Sequence, residues 1–189
     1  MNNYLYEKIS EYIPYDEREA EDREVMLEFI KNNEDVLTRN NKIAHMTASA
    51  WITNKDRSKL LMIYHNIYDS WAWVGGHADG DEDLMYVAKK EIEEETGVEN
   101  VRPLVEGIYG LNIVTVDNHI KRGKIVTSHL HFDVEFLFEA DEEEMLRIKE
   151  DENSGVKWVL FDEVESHTTE EKMKPIYKRL TEKLKNLKV

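Results

Sequence analysis

Residues 75–98 read GGHADGDEDLMYVAKKEIEEETGV, with four glutamates in the five positions from Glu91 to Glu95. No Gly or Pro falls within 82–96, so the middle of the stretch predicts a helix over those residues. At 100° per residue, Leu84, Val87, Ala88 and Ile92 form one inward stripe. On the same wheel Glu91 and Glu95 lie about 20° to either side of Leu84, and Glu94 is the helical neighbour of Glu91. Glu93 alone points away. The face that is apolar in the first half of the helix turns anionic in the second.

That pattern fits either a solvated charged face or the wall of a metal site. Carboxylates gathered in a partly desolvated recess repel one another and need a partner. Lys90 has two glutamates to serve and Lys89 faces outward, so a divalent cation is the better compensation. Oxygen donors favour hard ions such as Mg²⁺ or Mn²⁺. The Gly75–Gly76 pair follows WAWV, which reads as a strand end. It can turn peptide groups toward a metal or a phosphate, although two glycines also make an ordinary turn.

Around this stretch the chain reads as a mixed sheet covered by helices. Residues 1–40 are charged and helical, with Val25, Met26, Phe29 and Ile30 recurring at helical spacing and Pro14 dividing two helices. A body follows over 41–189. IAHMTASAWIT (43–53) and KLLMIYH (59–65) predict a hairpin around NKDRS. VRPLVEGIYGLNIVTV (101–116) and KIVTSHLHFDVEFLFEA (124–140) are long β-rich runs, and GVKWVLFDEV (155–164) predicts a further strand. A final helix from about Thr169 carries Met173, Ile176, Leu180, Leu184 and Leu187 on one face, with Thr168 or Thr169 as its N-cap.

Composition narrows the function classes. The 189 residues carry a formal charge of −15, which argues against nucleic-acid or anionic-membrane partners because both require a basic face. An acidic protein acting on an anionic substrate needs cations between them. The absence of cysteine removes disulfides, thiolate nucleophiles and zinc–cysteine sites. No signal-peptide-like or membrane-spanning run is present, so a cytoplasmic protein is expected. The amphipathic N-terminal helices could pack within the chain or serve a homodimer.

From Gly76 to Val98 the spacing is Gly, five residues, Glu82, seven residues, Lys90-Glu91-Ile92, one residue, Glu94-Glu95, one residue, Gly97-Val98. This resembles the Nudix box, Gly-x5-Glu-x7-Arg-Glu-U-x-Glu-Glu-x-Gly-U with U aliphatic, in every fixed position except the arginine, which is Lys90 here. The resemblance implies an α/β/α sandwich over roughly 43–165. It also implies metal-dependent hydrolysis of a diphosphate bond in a small-molecule nucleoside diphosphate derivative. By carry-over, Glu91, Glu94 and Glu95 hold Mg²⁺ or Mn²⁺, a carbonyl of Gly75 or Gly76 completes a coordination sphere, and Glu82 supports the cluster. DENSGVKW (151–158) has the form of the family's late acidic loop, making Glu152 the candidate distal ligand or base, with an acidic turn residue as the bland alternative.

Two departures stand out. Lysine cannot supply the bidentate fork by which the family arginine orients its glutamates, so Lys90 predicts weakened positioning. It also keeps open a nucleotide-binding or regulatory protein with weakened catalysis. The loop reads GGHADGDE, with its inner glycine, Gly80, one place early. Isoprenyl diphosphate isomerase chemistry, found among relatives, uses a cysteine that this chain lacks.

Outside the box, His77 is a candidate phosphate contact. Trp73 could stack on a base or sugar, although alternate aromatics such as Trp71 and Trp73 more often enter a core. His129 and His131 share one strand face. Without a third ligand nearby, they read as structural or substrate-lining residues.

Overall fold

The computed structural model describes residues 2–121 and 123–187. Two N-terminal helices, α1 (Asn3–Glu11) and α2 (Glu17–Asn32), are capped by the side chains of Asn2 and Asp16. The strands β1 (Ala44–Thr53), β2 (Lys59–His65), β3 (Ser70–Ala72) and β4 (Val74–His77) lead into α3 (Leu84–Thr96). After it come β5 (Val101–Pro103), β6 (Gly110–Val116), the small ribbon β7 (His119–Lys121) and β8 (Lys124–Val126), then β9 (His129–Ala140) and β10 (Asn153–Leu160). The chain closes with a short 3-10 turn, α4 (Val164–His167) and α5 (Lys174–Asn186). Among the described residues no helix is long and apolar enough to cross a membrane.

The principal sheet runs β10-β2-β1-β9-β5, with β3 on β2, β4 on β1 and β6 on β9. β1 and β9 are parallel while their other neighbours are antiparallel, so the sheet is mixed. The predicted hairpin is present, with Thr53 opposite Leu60.

Every residue of β1 is buried, because strands cover both of its edges and helices cover both of its faces. Its side chains nonetheless divide by the two-residue period of a strand. Ala44, Met46, Ala48, Ala50 and Ile52 enter one core with Leu5, Ile9, Met26 and Ile30 from the N-terminal helices and Leu84, Val87, Ala88 and Ile92 from α3. Trp51 enters the opposite core, with Ile176, Tyr177, Leu180 and Leu184 of α5. The N-terminal helices expected over 1–40 thus share a core with the body expected from 41 onward, and α2 ends at Asn32.

Several sequence expectations are corrected at their ends. The 101–116 run breaks between β5 and β6, and the 124–140 run breaks between β8 and β9. The last strand stops at Leu160, and residues 161–167 coil into the 3-10 turn and α4. The final helix begins at Lys174 with no side-chain cap, and Pro175 occupies its first turn, where a missing N–H costs nothing. Thr168 and Thr169 instead bond back to the β3 region: Thr168 donates to the Trp71 carbonyl and Thr169 to that of Asp69.

Candidate active site

α3 starts one residue after Asp83, whose carboxylate accepts from the Tyr86 N–H, and ends at Gly97 in the left-handed conformation, φ 76°. Between these caps the inward stripe of the wheel is present. Leu84, Val87, Ala88 and Ile92 are buried, whereas Glu93 is not alone in pointing away, since Glu94 is exposed as well. Glu95 is 2% exposed, the Glu91 side chain 13% and the Glu94 side chain 37%.

The glycine pair faces these carboxylates. β4 lies antiparallel to β1, with Gly76 opposite Ala48 and Gly75 opposite Ser49. The Gly75 N–H donates to Glu95 Oε2 at 3.1 Å, while a Cβ at Gly76 would collide with the Glu91 carboxyl. Gly76 is therefore a space requirement of the site. The loop beyond runs through Asp79 (φ 46°) and Gly80 (φ 98°), and Arg39 holds it with two hydrogen bonds to Asp79.

A second segment closes the recess from the other side. The loop between β9 and β10 is pinned to the end of α3 by two hydrogen bonds. The Arg147 N–H donates to the Thr96 carbonyl at 2.7 Å, and buried Asn153 donates through Nδ2 to the Glu95 carbonyl at 2.9 Å. These bonds satisfy carbonyls that a helix end leaves open. They also bring Lys149 and Glu152 over the glutamates. One oxygen each from Glu91, Glu95 and Glu152 fall within 4.8 Å of one another.

Lys149 is the residue that sequence reasoning missed. Its Nζ lies 2.7 Å from Glu94, 2.8 Å from Glu152 and 3.9 Å from Glu91. Lys90, expected to orient the glutamates, is about half exposed and among the described residues pairs with Glu94 alone, at 3.5 Å. The i,i+3 spacing of Lys149 and Glu152 was visible in the sequence, but their meeting with α3 depends on the loop path.

Electrostatics follow depth. Burial pushes the Glu95 carboxyl up to about 8, against the Gly75 N–H that favours its charge. Burial also raises Glu91, opposed by Lys149. Glu94 is lowered, chiefly by its hydrogen bond from Lys149. Burial opposes the charge on Lys149, but hydrogen bonds to Glu152 and Glu94 outweigh it and raise its pKa.

The recess opens into a cavity of about 270 Å³. One wall carries Glu91, Glu94, Glu95, Glu152 and Lys149, and the other carries Tyr68, Trp73, Tyr177, Val114 and Met173. Trp73 reaches the cavity while packing edge-on against Tyr177, whereas Trp71 lies under Lys157, 4.1 Å from Nζ to ring centroid. The floor holds Asp133, which accepts from Thr47 Oγ1 at 2.6 Å and Ser49 Oγ at 2.8 Å and is raised by burial to about 6. The alternation His129, His131, Asp133, Glu135 along β9 was the available signal for this polar face.

Two readings are corrected. Glu82 does not join the carboxylates: it precedes the first turn of α3, at the opposite end of the helix, where Asn2 Nδ2 lies 3.5 Å from its Oε2. His129 and His131 are not alone: the His45 ring from β1 meets both, and the His77 ring from β4 meets His131.

The family model for the NUDIX domain matches residues 44–180, and the chain belongs to the Nudix family of hydrolases, which act on phosphoric anhydride bonds. No curated protein sequence matches it. Among solved structures, a C. elegans Ap4A hydrolase is similar at 16% identity, over 75% of this chain and 98% of that one, with a TM-score of 0.54. A NUDIX-family hydrolase from Clostridium perfringens is similar at 20% identity, over 76% and 98%, with a TM-score of 0.54. The E. coli dihydroneopterin triphosphate pyrophosphohydrolase is similar at 16% identity, over 71% and 92%, with a TM-score of 0.52. These likenesses show the fold.

Proposed function

We propose that the chain hydrolyses a diphosphate bond in a nucleoside diphosphate derivative with the help of Mg²⁺ or Mn²⁺. The observation that carries this reading is the convergence of Glu91, Glu95 and Glu152 within 4.8 Å, with the Glu91 carboxyl occupying the space beside Gly76. All-oxygen donors of this kind suit a hard divalent cation, and the buried Glu95, with a single N–H donor, gains further stabilisation as an anion from a positive partner. Glu91, Glu94, Glu95 and the backbone at Gly75–Gly76 are the groups that would hold it. Such an ion neutralises phosphate oxygens and acidifies water for attack on phosphorus.

The chain's own residues supply the remainder. Glu152, partly exposed over the recess, is the proposed proton acceptor for the attacking water. Lys149 neutralises the carboxylates in the cation-free chain, and on its flexible stem it can turn to the phosphates. Trp73 and Tyr68 offer flat apolar surface to a base or another ring, and His77 lies at the edge of the same cavity. Binding without turnover, with Lys90 as its cause, is the competing reading. The half-exposed position of Lys90 argues that its loss of an arginine fork is a small defect.

The test is a panel of nucleoside triphosphates, nucleotide sugars and dinucleoside polyphosphates with Mg²⁺ or Mn²⁺, with the nucleotide products separated by chromatography and Glu91→Gln as control. Metal-dependent turnover that disappears in the variant is expected. Binding of nucleotides with no turnover of any would establish the competing reading instead.

A further inference from the structure

Six of the chain's seven histidines, His45, His65, His77, His119, His129 and His131, line one cavity of about 260 Å³. It adjoins the carboxylate recess, since His77 and His131 line both. No Asp or Glu lines this second cavity among the described residues.

Sheet register assembles the cluster. His45 on β1 is directly opposite His131 on the parallel strand β9, His129 is two residues back on the same face, and His77 on β4 pairs with Thr47, two residues from His45. The rings meet closely, with centroids 5.1 Å apart for His45–His131, 5.2 Å for His45–His77 and 4.9 Å for His77–His131. One ring nitrogen from each of His45, His77 and His131 lies within 4.8 Å of the other two.

We propose that His45, His77 and His131, with His129 alongside, form a binding site for a divalent transition cation of the zinc type, distinct from the carboxylate site. Arg39 and Lys42 also line the cavity, so ring polarity alone carries the choice of a cation over an anion. His45 Nδ1 lies 3.1 Å from the Asn41 carbonyl and His129 Nδ1 lies 2.8 Å from the Thr127 carbonyl. A carbonyl only accepts, so each Nδ1 carries the proton and each Nε2 offers a lone pair. Among the described residues His45 Nε2 is buried with no hydrogen-bond partner, which is costly for a group that is merely structural. A ring whose far nitrogen is fixed by a carbonyl is the arrangement that orients imidazole ligands toward metals.

A tetrahedral zinc site, with nitrogens about 2.0–2.1 Å from the ion, separates neighbouring nitrogens by about 3.3 Å. The nitrogens of His45, His77 and His131, within 4.8 Å of one another, would draw in to that spacing, and an ion would replace the proton in the 3.1 Å hydrogen bond between the Nε2 atoms of His129 and His131. Neutral imidazoles without carboxylates favour Zn²⁺ or its neighbours over Mg²⁺ or Mn²⁺, so the two sites would sort different ions.

This inference does not rest on the hydrolase reading, and its test needs no activity. The full chain is titrated with Zn²⁺ alone, bound metal is counted after gel filtration, and X-ray absorption identifies the ligands. One zinc with an imidazole-nitrogen shell is expected in the unaltered chain and in Glu91→Gln. Affinity should fall at least tenfold in His45→Ala and in His131→Ala. The spectrum of the unaltered chain decides the matter even if a variant misfolds. An all-oxygen shell, zinc lost in Glu91→Gln but kept in the histidine variants, retention of inorganic phosphate with no zinc, or no zinc at micromolar concentration would each overturn it.

Discussion

EREAED at 17–22 in α2 and EIEEE at 91–95 in α3 look alike as sequence, and each helix buries one glutamate, Glu19 and Glu95. Their surroundings differ. Glu19 has no exposed surface and is closed in by the Tyr12 hydroxyl, the Tyr15 N–H at 2.8 Å, Lys183 at 3.5 Å and Arg179 at 3.7 Å. Among the described residues Glu95 has one backbone donor and no ion-pair partner of its own, with Lys149 engaged by its neighbours, and it borders a cavity. Paired and sealed, a buried charge ties helices together. With a single donor at a cavity edge, the Glu95 carboxyl is instead raised in pKa by burial.

The largest expected effect separates these roles by activity. Glu95→Gln should lower metal-dependent turnover by about a hundredfold or more, beyond what the outer partners of a metal site cost. The variant should leave the cation-free fold about as stable near neutral pH, because burial already holds the Glu95 carboxyl largely protonated there. Glu19→Ala should do the reverse, losing about 3–5 kcal/mol in denaturant unfolding by stranding Lys183 and Arg179. Turnover per folded molecule should stay near that of the unaltered chain. If Glu95→Gln unfolds the protein and Glu19→Ala does not, the contrast between the two helices collapses.

A third prediction concerns pH. The Glu95 carboxyl is raised to about 8 in the folded chain from an ordinary value of 4.5, so the folded state binds the extra proton between those values. The stability this contributes is fully present at acid pH and is lost as pH rises through about 8. Melting of the cation-free protein should therefore move to lower temperature from about pH 5 to about pH 8. Saturating Mg²⁺ or Mn²⁺, or Glu95→Gln, should flatten that slope. A slope unchanged in the variant would assign it to other groups, such as Asp133.

The smallest effect is expected at Lys90. An arginine there gains a second hydrogen bond to Glu94, which predicts a rise in turnover of roughly two- to fivefold. No change at all would mean that Lys149 alone sets the position of that carboxylate.

Much of the α3 wall was legible before the structure, because helical periodicity is local. The inward stripe, the burial of Glu91 and Glu95 and the outward Glu93 all follow from residues within four positions of one another. Glu82 was misread for a related reason. Spacing along a motif does not say that α3 begins at Leu84, which leaves Glu82 at its far end. Thr168 and Thr169 were misread as caps because their hydroxyls found β3 carbonyls across the fold.

By itself the sequence determined the helix that presents Glu91, Glu94 and Glu95, the glycines that make room for them, and the alternating strands that predict a mixed sheet. Each of these depends on backbone geometry repeated over a few residues. Only the tertiary structure decided that Lys149 and Glu152 fold back over α3 and that parallel pairing of β1 with β9 sets His45 against His131. Those contacts join segments far apart in the chain, and register and loop path carry no local period from which to read them.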